Sequence, residues 1–136
     1  MNILVDTNVL ISALLNPKSK PSQALHHAAE HHNLILSDYN IAELHRVTQQ
    51  KFPSKQSDID VLLARLSYEL VPAPLSPQKL IADPKDAPIL NAAILAEVDV
   101  MISGDKHFLQ LQMERPRVLT AAAYLEAAED MGFGGF

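Results

Sequence analysis

Apolar positions in this chain fall into short blocks of two kinds, compact runs and helically spaced stripes. Ile3-Leu4-Val5 is a compact run. It breaks at Asp6-Thr7-Asn8 and resumes as Val9, Leu10, Ile11, Ala13, Leu14 and Leu15. That pattern predicts a buried strand, a polar turn and a helix. Leu34-Ile35-Leu36, Asp99 to Ile102 and Val118-Leu119 are further runs of strand length, and Leu70-Val71 is a weaker one closed by Pro72 and Pro74. Between them lie helical stretches. Pro21, at a favoured first-turn position, opens one that runs to His32. Ser37 or Asp38 caps the next, which Phe52-Pro53 breaks. Asp58 to Tyr68 carries Ile59, Leu62, Leu63 and Leu66, the i, i+3, i+4, i+7 spacing of an amphipathic helix. Leu75 to Asp83 reads as loop with one helical turn. Asp86 to Val98 is the most apolar helix, Lys106 to Met113 a short one, and Thr120 caps a last helix reaching Asp130. Short buried strands alternating with helices imply an α/β fold whose parallel sheet is covered on both faces. No linker or repeat divides the chain, so residues 1–136 are expected to form a single domain, with 131–136 as a flexible tail.

Composition narrows the class. Hydrophobic residues make up 48% and charged residues 20% of the 136, the balance of a globular chain rather than a disordered one. No apolar run has the length of a membrane span. The N-terminus lacks the basic flank and small-residue cleavage site of a signal peptide, so a cytoplasmic protein is expected. There is no cysteine, which removes disulfides, thiolate metal sites and a thiol nucleophile. The formal charge of −5 argues against a simple basic nucleic-acid patch. It leaves room for a metal-bridged phosphate substrate. If four acids form one metal site, the remaining charges nearly cancel, and two divalent cations would make the site itself neutral and attractive to phosphate.

The candidate chemistry lies in acids at element ends. Asp6 follows the first strand, Glu43 sits in the second turn of the helix after the second, Asp86 opens the helix before the fourth, and Asp105 follows the fourth. Taken singly, each has an ordinary explanation: helix caps for Asp6 and Asp86, a surface acid for Glu43, a turn residue beside Gly104 for Asp105. Taken jointly, residues after parallel strands emerge on one edge of the sheet, where open α/β folds place their ligands. Four carboxylates gathered there cannot all ionise without a counter-ion. A hard divalent cation with oxygen ligands resolves this and binds phosphate.

These residues also carry a resemblance. VDTNVLISALL, SDYNIAEL, DPKDAPILNAAI and ISGDKHFL, in that order, resemble the four acidic motifs of the PIN-domain family, and within it the VapC-like toxins of type II toxin–antitoxin systems. The resemblance covers nearly the whole chain. It implies a three-layer α/β/α sandwich around a parallel sheet of about five strands, Mg²⁺ or Mn²⁺ as cofactor, cleavage of single-stranded RNA, an antitoxin partner and a homodimer. By position, Asp6, Glu43, Asp86 and Asp105 match the family's metal-binding catalytic acids, with Asp83 as second choice for the third. Asn8 matches a polar residue that steadies the first acid, and Ser103 matches a Ser or Thr near the metal. The chain departs from the pattern at His107, where members often carry another acid. That substitution puts a fifth acidic ligand in doubt and offers a contact to phosphate or leaving group instead.

Two rivals are weaker. An aspartyl-nucleophile phosphatase wants a second acid two residues after the nucleophile, and Asn8 stands there. A non-catalytic binding module, such as a phospho-receiver, wants paired acids near the first strand and a lysine after the fifth; Thr7-Asn8 and Leu119-Thr120 supply neither. His27 and His31 stand four apart on a helix, a metal-binding spacing. No carboxylate motif completes it, and a solvated helix end accounts for them.

Overall fold

The computed structural model describes residues 1–73, 87–111 and 113–130. Among the described residues five strands form one sheet: β1 (Asn2–Val5), β2 (Asn33–Ser37), β3 (Glu69–Val71), β4 (Val100–Ile102) and β5 (Arg117–Leu119). All pairings are parallel, in the order β3-β2-β1-β4-β5. Ile3 lies beside Leu34 on one side and Val100 on the other. Successive side chains of a strand point to opposite faces, so the apolar runs feed two cores at once. Ile3, Val5, Leu34, Leu36, Val100 and Ile102 face one cluster. Leu4, Ile35 and Met101 face the other.

Helices cover both faces, as strands with apolar residues on both faces require. The first core is closed by α1 (Thr7–Leu15) through Val9, Leu10, Ala13 and Leu14, and by α2 (Lys20–His31) through Ala24, Leu25 and Ala28. Leu44 of α3 (Asp38–Lys51), Ile59 of α4 (Gln56–Arg65) and Tyr124 of α7 (Ala121–Ala128) complete it. The second core is closed by Ile89, Leu90, Ala92 and Ala93 of α5 (Ala87–Leu95) and by Phe108 of α6 (Lys106–Leu109). The architecture is the expected three-layer α/β/α sandwich.

Helix starts carry side-chain caps, at Asp6, Ser37 and Thr120 as the sequence predicts and at Ser19 and Asp105 besides. Asp6, Ser19, Ser37, Asp105 and Thr120 each accept a backbone N–H of the helix they precede. Such caps contribute about 1 kcal/mol apiece. Helix ends depart further from expectation. The helix expected over Asp58–Tyr68 spans Gln56–Arg65, and Leu66 turns extended yet stays buried, because the chain must straighten to enter β3. The helix expected to reach Val98 stops at Leu95. Glu97 takes a left-handed conformation, φ 54°, and donates its N–H to the Ile94 carbonyl, while Val98 donates to that of Ala93. This pair of bonds is a Schellman cap. It sends Val98 straight into the core and Asp99 onto the start of β1, where its carboxylate accepts the Asn2 N–H at 2.8 Å.

The short helix expected over Lys106–Met113 ends at Leu109, and the expectation for His27 is overturned. His27 is buried, and its Nδ1 lies 2.6 Å from the Tyr124 hydroxyl, so it belongs to the α2–α7 packing and not to a solvated helix end. The His31 ring sits 4.4 Å from it, centroid to centroid. The expected loop over 75–83 and the tail at 131–136 fall outside the described residues.

Candidate active site

The strand order decides where the acids meet. From β1 the chain moves outward through β2 and β3, then returns to the other side of β1 with β4 and β5. The direction reverses between β1 and β4, and open α/β sheets form their ligand crevice beyond the carboxyl ends of the strands at such a point. Asp6 leaves the end of β1 there, and Ser103 and Asp105 leave the end of β4.

These three residues are joined. The Asp6 N–H donates to the Ile102 carbonyl at 3.1 Å, continuing the ladder one step past β1. Asp6 Oδ1 accepts the Val9 N–H at 3.0 Å, and the Ser103 hydroxyl donates to Oδ2. Ser103 Oγ in turn accepts the Asp105 N–H at 3.0 Å. Asp105 Oδ1 accepts the His107 N–H at 2.8 Å, and the His107 ring lies 3.6 Å away through Nδ1. Asp6 is therefore both the helix cap and the buried head of a polar chain running out to His107.

Electrostatics make Asp6 unusual. It is 2% exposed. Burial pushes its carboxyl above the ordinary carboxylate range. Hydrogen bonds from Ser103 and the Val9 and Asn8 backbones oppose that rise, and the negative charge of Asp105 adds to it. A buried carboxylate with a second carboxylate beside it is costly to ionise. It is an environment in which a bound cation lowers the energy of the charged form.

The other predicted residues are placed unevenly. Glu43 lies in the second turn of α3, its side chain 15% exposed and 3.4 Å from Arg46 Nη2. Asn8 is exposed, and the part of it that reaches Asp6 is its backbone N–H rather than its side chain. Asp86 and its alternate Asp83 lie outside the described residues. Among the described residues, no three acids and histidines stand close enough together to hold a metal ion. The pair brought together is Asp6 and Asp105. Asp6, Ser103 and Asp105 present hard oxygen atoms at this edge, with the His107 imidazole beside them.

Asn40 and Thr7 were not anticipated. Both are buried, and Asn40 Nδ2 donates to Thr7 Oγ1 at 3.2 Å, linking the first turns of α3 and α1. Ser37 and Asn40, three apart at a helix start, are a capping-box spacing with Asn in place of Glu or Gln, and that signal was present in the sequence.

A protein-family model described as a PIN domain matches residues 2–107. No curated protein matches the chain. Among solved structures the chain is similar to VapBC2 from Rickettsia felis, bound to a DNA fragment from their promoter. That likeness has a TM-score of 0.66 and 16% identity, covering 88% of this chain and 98% of that one. It is also similar to VapBC-1 from nontypeable Haemophilus influenzae, with a TM-score of 0.56 and 14% identity, covering 90% of this chain and 99% of that one. At these identities the likeness is one of fold.

Proposed function

The chain belongs to the PIN domain family, and on that premise we propose that it is a Mg²⁺- or Mn²⁺-dependent endoribonuclease cutting single-stranded RNA, the toxin of a type II toxin–antitoxin pair. The observation that carries this reading is the buried Asp6, held by Ser103 and set against Asp105 at the reversal point of the sheet. Asp6, Glu43, Asp86 and Asp105 would hold the metal. Bound there, a divalent cation would supply Lewis acidity and charge neutralisation at the scissile phosphate. Ser103 keeps Asp6 in one orientation, and its acceptance of the Asp105 N–H couples the two acids. His107, exposed at the outer end of this chain beside Asp105, would contact a phosphate of the substrate.

Melting curves with and without Mn²⁺ test the metal site. An ion that binds only the native state at a hundredfold excess over its Kd stabilises by about 2.7 kcal/mol, a rise on the order of 10 °C for a domain of this size. The metal-free protein should show the opposite cost. Because the Asp6 carboxyl is raised in the folded state, stability is full below the ordinary carboxylate pKa and falls as pH rises through the raised value. Asp6→Asn should therefore melt higher than wild type at neutral pH without metal and gain nothing from Mn²⁺. A wild type indifferent to Mn²⁺, or an Asp6→Asn that gains as much, rejects the site.

The partners follow from the same reading. The solved neighbours are named VapBC2 and VapBC-1, which supports an antitoxin partner for this chain. Leu95 and Leu70 are 69% and 56% exposed, apolar surface that a homodimer or an antitoxin would cover. Light scattering should give twice the monomer mass, and a monomer at every concentration rules the homodimer out. Among the described residues no helix is long and apolar enough to cross a membrane, and an RNA substrate places the proposed activity in the cytoplasm.

A further inference from the structure

Asn40 makes more bonds than a helix cap needs. Its Oδ1 accepts the Ser37 N–H at 3.1 Å and the Ser37 hydroxyl at 2.8 Å, and its own N–H donates to Ser37 Oγ at 3.0 Å. The Ser37 N–H can only donate, so it turns the carbonyl end of the amide toward β2 and leaves Nδ2 for Thr7. The capping box is complete without that last bond, which crosses to a residue 33 positions away. Both partners are excluded from water, so neither can exchange the bond for a solvent one.

Their neighbours are the proposed ligands. Thr7 follows Asp6 directly. Glu43 is three residues beyond Asn40, adjacent along the helix surface. Asp6 is already tied on its other side to β4 through Ser103. We propose that the Thr7–Asn40 hydrogen bond is a strut that sets the spacing between Asp6 and Glu43 and thereby the affinity of the site for a divalent cation. The proposal rests on the metal-nuclease reading above. Thr7 and Asn40 are positioning residues: they act through the acids beside them and touch neither metal nor RNA. Groups hydrogen-bonded directly to a metal ligand typically govern affinity by about 10–100-fold, and the strut, which acts through the backbone on each acid, is expected at the lower end of that range.

Thr7→Val keeps the shape of the side chain, removes the acceptor and leaves the capping box whole; Thr7→Ser keeps the hydroxyl. Tyr124→Phe is the control for general loosening, since it removes a buried hydroxyl bonded to His27 on the α2–α7 contact, a different part of the molecule. For each full-length protein the metal-free Tm and the Mn²⁺ Kd are measured, the latter by titration calorimetry. Thr7→Val is expected to weaken Mn²⁺ binding about 10-fold, Thr7→Ser to bind as wild type does, and Tyr124→Phe to lose Tm without losing affinity. Wild-type affinity in Thr7→Val overturns the strut, as does an equal loss of affinity in Tyr124→Phe at equal loss of Tm. A wild type that takes no Mn²⁺ at all overturns the metal-nuclease reading itself, and the strut's role with it.

Discussion

Replacing Asp6, Glu43, Asp86 or Asp105 by its amide, one at a time, is expected to lower cleavage of single-stranded RNA by about a hundredfold or more. The estimate follows from the charge stabilisation a metal supplies, several kcal/mol, at 1.36 kcal/mol per tenfold in rate. An amide keeps the shape of the carboxyl group but binds a hard cation more weakly. Asp6 should be the most severe, because it is the acid locked on both sides, by Val9 and by Ser103. The folds should survive, and circular dichroism of each variant checks that. Asp83→Asn should retain most activity; if it is dead while Asp86→Asn is active, Asp83 is the third ligand. An aspartyl phosphatase would depend above all on Asp6, which a phosphoryl analogue would label. If all four amides cut RNA as well as wild type, the nuclease reading fails and a non-catalytic binding module takes its place.

Phe108→Ala should be the most damaging single truncation near the site. Phe108 is 1% exposed in a helix of four residues, packed into the core that Leu4, Ile35, Met101 and Leu90 share. So short a helix has almost no stability of its own, and its position comes from that one buried ring. Emptying such a site costs about 3–5 kcal/mol, a large part of the roughly 5–15 kcal/mol that holds a domain together. Leu109→Ala, next along and 37% exposed, should change stability by no more than about 0.5 kcal/mol. Urea midpoints distinguish the two, and equal midpoints would show that Phe108 does not anchor α6. Because Asp105 caps this helix, RNA cleavage by Phe108→Ala should fall along with stability.

The elements and their chemistry were legible locally. The run Ile3-Leu4-Val5, the break at Asp6 and the stripe from Val9 to Leu15 are β1, a cap and α1, since burial periodicity and capping depend on residues a few positions apart. The same holds for the caps at Ser37 and Thr120. Helix ends were read less well. A left-handed Glu97 and an extended Leu66 obey the demands of the next strand, not the pattern of the helix they close.

Residue types at strand ends were enough to nominate Asp6, Glu43 and Asp105 from the sequence alone. That strand ends share one edge of the sheet put Asp6 near Asp105 already from the sequence; the hydrogen bonds that join them were not there to read. Asp6 and Ser103 are 97 residues apart, and only the placement of β4 beside β1 brings the hydroxyl to the carboxylate. Nothing in either segment encodes that pairing, because all the strands are short apolar runs that could pair in many orders; it is settled when both faces of the sheet are covered at once. The same long-range packing decides which polar groups lose water. It buries His27 against Tyr124, sets Asn40 against Thr7, and raises the Asp6 carboxyl by taking it out of solvent. Periodicity and spacing determined what each segment of this protein is, while burial and strand order, which exist only in the folded chain, decided which of its polar residues act on one another.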